Sequence, residues 1–335
     1  MQPFFVIFLI EMKTKTELLA QLEDYLASID LQREPRNLYA PISYVLSMGG
    51  KRVRPLLMLL AYQLYKEDFE NVLPAAAAVE VYHNFTLLHD DLMDEADVRR
   101  GKPTVHKKWD DNSAILSGDA MLILSYHLLA KSTDKNLKEV LDVFNQITLE
   151  VCDGQQFDIE FESREDVTES DYLNMIRLKT AVLLAGSMKM GAILGGASKQ
   201  ESQLLYDFGL NIGLAFQLQD DYLDVYGDPT VFGKENGGDI VSNKKTYMLI
   251  RAINLAEGET KKSLIEWINA KQFDEDKKIK AVTEIYNQLG IDKVCQAKME
   301  EYYSKALTAL EQLSFDSEKT SSLKELASSL MNRKL

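Results

Sequence analysis

The chain is predicted to be all-α. Apolar residues recur at helical spacing along nearly its whole length, no segment alternates as a half-buried strand would, and the composition favours helices. Of its 335 residues, 46% are hydrophobic, with abundant Leu and Ala and only seven prolines, the balance of a large helical bundle. The periodicity predicts helices over 16–29, 53–66, 74–94, 113–131, 137–161, 171–194 and 200–226, followed by shorter amphipathic runs to the end. Alanines 75–78 and glycines 186, 191, 195 and 196 mark places where helices approach closely. No Pro/Ser/Gly-rich linker divides the chain, so residues 1–335 are expected to form one domain. Gly227 to Lys245, glycine-rich and basic, reads as a lid.

The apolar stretch Phe4 to Ile10 has no preceding Lys or Arg and meets Glu11 too soon to span a bilayer. Residues 1–11 are therefore expected to be an over-extended or disordered start, with Met12 the more natural beginning, and no stable membrane insertion is expected. A formal charge of −14 argues against nucleic acid as a partner, since a polyanion needs a basic stripe that is not found here. Two cysteines, Cys152 and Cys295, are too few for a disulfide framework or a zinc site, which points to a reducing cytoplasm.

Chemistry is concentrated in a repeated pentapeptide. Asp90-Asp91-Leu92-Met93-Asp94 returns as Asp220-Asp221-Tyr222-Leu223-Asp224, each copy closing a long apolar run. The first and last aspartates of each lie about one helical turn apart on one face. Carboxylates crowded this way repel one another and need compensating positive charge. Two such faces brought opposite each other make a cage for hard cations such as Mg2+, which takes one or two carboxylates per ion and its remaining oxygens from water and phosphate. Single acidic runs commonly belong to solvated faces, but both of these follow apolar sequence.

Basic clusters accompany them. Gly49-Gly50-Lys51-Arg52-Val53-Arg54-Pro55 places three cations where a glycine pair ends one helix and a proline opens the next, an anion-binding arrangement. Arg99-Arg100-Gly101-Lys102 follows the first acidic motif, and Lys234, Lys244 and Lys245 follow the second. Any one cluster reads better as surface charge balancing an acidic protein; together with two carboxylate cages the three suggest diphosphate ligands.

These motifs resemble, in order, those of the trans-isoprenyl diphosphate synthases of the polyprenyl synthetase family. The likeness covers GGKRVRP at 49–55, HNFTLLHDDLMDEADVRRGKPTVH at 83–106, ILSGDA at 115–120, GQQFD at 154–158, Lys179-Thr180, FQLQDDYLD at 216–224, GDPTVFGK at 227–234 and GGDIVSNKKTY at 237–247. It implies an isoprenoid synthase fold of ten or more helices around a deep central cavity, a homodimer, and Mg2+-dependent joining of isopentenyl diphosphate to an allylic diphosphate (dimethylallyl, geranyl or farnesyl). By that resemblance Asp90, Asp94 and Asp220 ligate a trinuclear Mg2+ cluster, while Asp91, Asp221 and Asp224 ligate it or orient it through water. Arg99, Lys179 and Lys234 contact the allylic diphosphate, with Lys244 a further substrate-binding residue. Lys51, Arg54, His83 and Arg100 form a metal-free pocket for isopentenyl diphosphate. A lone His on an apolar face is ordinarily a satisfied core residue; position in the motif selects His83, and leaves His89, His106 and His127 as structural. Lys179, Thr180, Gln217 and Lys234 are the expected catalytic set, with the Thr180 hydroxyl and Gln217 amide stabilising a passing carbocation. No strong base stands out, in keeping with a released diphosphate that takes the final proton.

Product length is assigned by the same resemblance to Phe85, five residues before Asp90, and its neighbour Thr86. One aromatic without an insertion leans toward the twenty-carbon geranylgeranyl product, with farnesyl or longer polyprenyl products as alternatives. An ideal helix turns Phe85 about 140 degrees from Asp90, so core packing is the competing reading of this residue. A terpene cyclase would have no need of the GGKRVRP site. A regulatory subunit would lose aspartates from one motif, and all six are present.

Overall fold

The computed structural model describes residues 12–132, 134–228 and 236–331. It is predominantly helical, as the periodicity predicts, and divides into two compact units, each drawn from separate stretches of chain.

The first unit comprises Met1–Leu141, Met190–Ser198 and Phe315–Ser322. Its helices are α1 (Lys15–Ala27), α2 (Arg36–Ser47), α3 (Val53–Gln63), α4 (Leu73–Met93), α5 (Val105–Lys108) and α6 (Asp111–Leu129). Helix α1 starts with a capping box in which Thr14 and Glu17 satisfy each other's backbone N–H. Asp110 caps α6 through the Ser113 N–H. Helix α4 is the hub against which α1, α2, α3, α5 and α6 pack. Its Ala75–Ala78 run is wholly buried, small side chains admitting neighbours on every side. Gly191 plays the same part at α3, where a Cβ would strike the Met58 carbonyl. Gly195 is likewise crowded, as is Gly186 against Ile147 in the second unit, whereas Gly196 sits at φ +96 with open space around it and serves the turn.

Two features of this unit depart from the sequence reading. Helix α2 forms although Pro41 lies inside it, because Pro41, Ile42, Val45 and Leu46 give it a buried stripe. A two-residue hairpin, β1 (Val98–Arg99) with β2 (Lys102–Pro103), also appears, too short to show alternation.

The second unit comprises Asp142–Lys189, Lys199–Ser314 and Leu323–Leu335. Helices α7 (Leu137–Ser163) and α9 (Val182–Gly195) carry residues of both units. The single helix predicted over 171–194 is instead α8 (Glu169–Ile176), a π-helical turn (Arg177–Ala181) and α9. The long α10 (Lys199–Tyr226) is the hub here. After it come α11 (Gly238–Val241), α12 (Tyr247–Leu255), α13 (Gly258–Asn269), α14 (Glu275–Leu289), α15 (Ile291–Glu311) and α16 (Ser321–Met331). Helix α15 lies along α10, and Leu218, Tyr222, Met248, Cys295 and Met299 share one apolar core. Gly209 and Gly213 let α10 approach the backbone of Ala185 and Ala181. The segment Glu169–Gly195 is long and apolar enough to cross a membrane, but 89% of its apolar window is buried in the protein, as in a core helix.

Candidate active site

Both acidic motifs fall at helix C-termini. Asp90 and Asp91 occupy the last turn of α4, Asp94 is its C-cap, and Asp220 to Asp224 close α10. The negative end of a helix dipole disfavours carboxylates, so each site is primed for cations. In the first unit Arg99 supplies one: its Nε and Nη2 donate to Asp91 Oδ1 at 2.8 and 2.6 Å, and Nη2 lies 3.7 Å from Asp90 Oδ2. Burial pushes the Asp91 carboxyl up, and Arg99 opposes that shift. Asp90 is half-buried and Asp94 exposed.

The hairpin explains how two consecutive arginines serve different places. Arg100 and Gly101, at φ 52 and 72, form its two-residue turn. Arg99 points into the acidic motif, while Arg100 Nη1 donates to the Gly49 carbonyl in the basic loop. Gly50, at φ 142, has a backbone that favours glycine, and the Arg100 guanidinium packs 2.9 Å from where its Cβ would stand.

Within that loop the three cations differ. Arg52 is buried at the N-cap of α3, bound to Glu80 Oε1 at 2.6 Å, Glu23 Oε1 at 2.8 Å and the Leu46 carbonyl at 2.9 Å. It is structural. Lys51 is exposed, and Arg54 reaches His83 Nε2 at 3.0 Å. A guanidinium only donates, so Nε2 accepts and His83 is neutral with its proton on Nδ1. Burial first, then the charges of Arg54, Arg100, Arg99 and Arg52, hold its pKa well below the usual value. Burial pushes Arg54 down to about 10, with Glu80 opposing and Arg100 adding to the fall. Arg100 is lowered as well, chiefly by burial. Cations crowded together gain most from a polyanion, whose oxygens make charge-assisted hydrogen bonds to them.

On the same helix, Phe85 is half-buried with its ring 5.5 Å from Tyr82 and 4.8 Å from His89, while the Thr86 hydroxyl donates to the His83 carbonyl at 2.8 Å.

In the second unit a chain of side chains converges on Asp221. Tyr172 Oη donates to its Oδ2, Gln217 Nε2 donates to Oδ1 at 3.0 Å, and the Thr180 hydroxyl donates to Gln217 Oε1 at 2.9 Å. Burial raises the Asp221 carboxyl above the ordinary range, against Lys244, Tyr172 and Gln217, which lower it. Burial, with Asp221 adding to it, keeps the Tyr172 hydroxyl protonated as a donor. Lys179, in the π turn, donates to Asp158 Oδ2 at 2.6 Å. Gly154 makes this possible, since a Cβ there would collide with the Lys179 backbone. Asp224 Oδ2 accepts from the Asp239 N–H at 3.0 Å, and Lys244 Nζ stands 4.0 Å from Asp239 Oδ1. Burial, together with Asp221, Asp224 and Asp220, raises Asp239 against the pull of Lys244.

The first unit thus holds Lys51, Arg54, His83, Phe85, Thr86, Asp90, Asp91, Asp94, Arg99 and Arg100; the second holds Lys179, Thr180, Gln217, Asp220, Asp221, Asp224 and Lys244. Lys234, and residues 1–11, lie outside the described residues. Three participants had no role assigned from sequence. Asp158 and Asp239 lie inside conspicuous motifs, GQQFD and GGD, but Tyr172, 49 residues before Asp221, carries no local signal. Asp90 and Asp94 in the first unit, and Asp220 in the second, are partly exposed carboxylates, hard oxygen donors of the kind Mg2+ takes; among the described residues no three His, Cys, Asp or Glu side chains are grouped as a metal site.

Residues 35–286 match the polyprenyl synthetase family model. The chain is 43% identical over 249 residues to a short chain isoprenyl diphosphate synthase of Methanocaldococcus jannaschii, covering 74% of this chain and 76% of that one. It is 43% identical over 220 residues to the geranylgeranyl diphosphate synthase of Methanosarcina mazei, covering 65% and 68%. A crystal structure of a geranylgeranyl pyrophosphate synthase superposes with a TM-score of 0.90 at 45% identity, over 97% of this chain and 100% of that one. The chain therefore belongs to the polyprenyl synthetase family, with the all-α isoprenoid synthase fold and the prenyltransferase activity of an isoprenyl diphosphate synthase.

Proposed function

We propose that this enzyme joins isopentenyl diphosphate head-to-tail to an allylic diphosphate and releases chiefly the all-trans twenty-carbon product. The observation that carries this reading is the divergence of Arg99 and Arg100. One guanidinium serves the acidic motif and the next serves the glycine loop, giving two diphosphate sites side by side with only one beside carboxylates. A nucleophilic substrate whose own diphosphate must stay attached belongs in the second, built from Lys51, Arg54, His83 and Arg100. The allylic substrate belongs with Asp90 and Asp94, with Arg99 shared between carboxylate and phosphate, and with Asp220, Lys179, Lys234 and Lys244 as further contributors.

Bound at Asp90, Asp94 and Asp220, three to an active site, Mg2+ would neutralise charge developing on the departing diphosphate. Asp91 and Asp221 are held by Arg99, Tyr172 and Gln217 and are suited to orienting; Asp224, braced by Asp239, is suited to the same task. The allylic carbon–oxygen bond breaks with its electron pair on the diphosphate, and the isopentenyl double bond attacks the resulting cation. The Thr180–Gln217 pair presents oxygen dipoles to that cation while Asp221 fixes the amide. The proton then lost from the new chain passes to diphosphate, which suits a site whose histidine is already neutral beside four arginines.

Product length is read from Phe85 as the floor of an apolar cavity beneath the first motif, a role that its partly exposed ring is able to serve. A homodimer is supported by the outer face of α6, where Ile115, Leu116 and Ile123 are 44%, 59% and 69% exposed. The whole is read as one catalytic domain acting in the cytoplasm. Incubating purified protein with isopentenyl diphosphate and, in turn, dimethylallyl, geranyl and farnesyl diphosphates, then sizing the dephosphorylated products, tests the reading. Twenty-carbon alcohol should dominate; a cyclic hydrocarbon, or no elongation with any starter, refutes it.

A further inference from the structure

Phe85 does not hold its position alone. One turn along α4, the His89 ring meets the Phe85 ring edge-on with centroids 4.8 Å apart and planes at 67°. His89 is in turn fixed by α6. Its Nε2 lies 3.2 Å from the Ile115 carbonyl, which can only accept, so this nitrogen carries the proton. Its imidazole fills the notch left by Gly118, where a Cβ would land on the ring. Tyr82 closes the other side of Phe85 at 5.5 Å. The notch, the hydrogen bond and the edge contact link α6 to Phe85 in one continuous sequence.

We propose that His89, seated in the Gly118 notch, is a specificity-determining positioning residue that sets product length by holding the Phe85 ring across the path of the growing chain. This rests on the reading of Phe85 as the cavity floor. An unbranched aromatic side chain on a helix has more than one open rotamer, and an unsupported ring could swing aside as each five-carbon unit is added. The edge contact with His89 selects the blocking orientation, and the carbonyl bond prevents His89 from following. Neither group touches phosphate, so the clamp governs where elongation stops, not how fast ionisation occurs.

Three variants in the full-length enzyme separate the possibilities. Gly118→Ala expels the imidazole from its notch without altering any residue assigned to phosphate or metal. His89→Ala removes the edge contact outright. Phe85→Ser tests the floor itself. With isopentenyl diphosphate in excess, the ratio of products beyond twenty carbons to the twenty-carbon product should rise about fivefold in both clamp variants, the ratio that loss of one aromatic contact of ordinary strength allows. Total isopentenyl incorporation by Gly118→Ala should persist. If Phe85→Ser lengthens the product but the clamp variants do not, the clamp is overturned and the floor stands. An unchanged distribution for Phe85→Ser overturns both. Should Gly118→Ala fail to fold, His89→Ala decides.

Discussion

Arg52 and Arg54 are two residues apart in one basic loop, yet the structure gives them opposite tasks. Removing Arg52 should cost stability. Its side chain is 3% exposed and Glu80 is 2% exposed, with 2.6 Å between Nη1 and Oε1; Asn84 adds a 2.8 Å bond to the same oxygen. Burial works against the Arg52 charge, and the Glu23 and Glu80 carboxylates more than offset it. Arg52→Met strands the Glu80 carboxylate in the core with Asn84 as its remaining donor. A broken buried ion pair of this kind costs about 3–5 kcal/mol. Glu23, half exposed, keeps its access to water and adds little. Urea unfolding followed by circular dichroism reads the change in midpoint and slope. The double variant Arg52→Met/Glu80→Met should recover most of the loss, since apolar groups of similar size replace such pairs at little cost. A loss below about 1 kcal/mol for Arg52→Met, the level of an exposed pair, would mean that Arg52 and Glu80 do not act as a buried ion pair.

Arg54→Ala should instead leave stability nearly intact and raise KM for isopentenyl diphosphate about tenfold to a hundredfold, as for loss of a charged hydrogen bond. Arg99→Ala should act mainly on the allylic substrate or on kcat, and identical profiles for the two variants would undo the division into two diphosphate sites. Tyr172→Phe leaves Gln217 as the remaining side-chain donor to Asp221 and should lower kcat about tenfold or more with helicity unchanged; full activity would make Tyr172 a packing residue. Thr86→Phe, placing a second aromatic beside Phe85, should shift products toward fifteen carbons, and an unaltered chromatogram would remove Thr86 from the length-determining wall.

The helices could be read from sequence because period and burial agree along them. The acidic repeats stood out because apolar helices seldom end in three carboxylates. What escaped notice required information that is not local. Pro41 ordinarily breaks helices, and only the stripe that α2 buries outweighs it. The hairpin consists of two-residue strands, so no alternation could reveal it, although it aims Arg99 and Arg100 apart. The π turn shifts hydrogen-bond register without changing apolar spacing, and it places Lys179 over Gly154 and within reach of Asp158. Arg52 and Arg54 look alike in sequence; distance to Glu80 separates them. Tyr172 has an ordinary place on an amphipathic helix, and its hydroxyl gains meaning from a carboxylate 49 residues away.

In the mechanism proposed above, both acidic motifs serve one Mg2+-dependent condensation. Isopentenyl incorporation into an allylic starter, measured with Mg2+ and with chelator for the unaltered protein, Asp90→Ala and Asp220→Ala, tests it most directly. Turnover should be abolished by chelation and fall by about two orders of magnitude or more in each variant, as when charge stabilisation at a leaving group is removed, with helical content preserved. Retention of more than about a tenth of the activity in either variant, a loss of under about 1.4 kcal/mol, would mean that the motif concerned does not serve the ionisation.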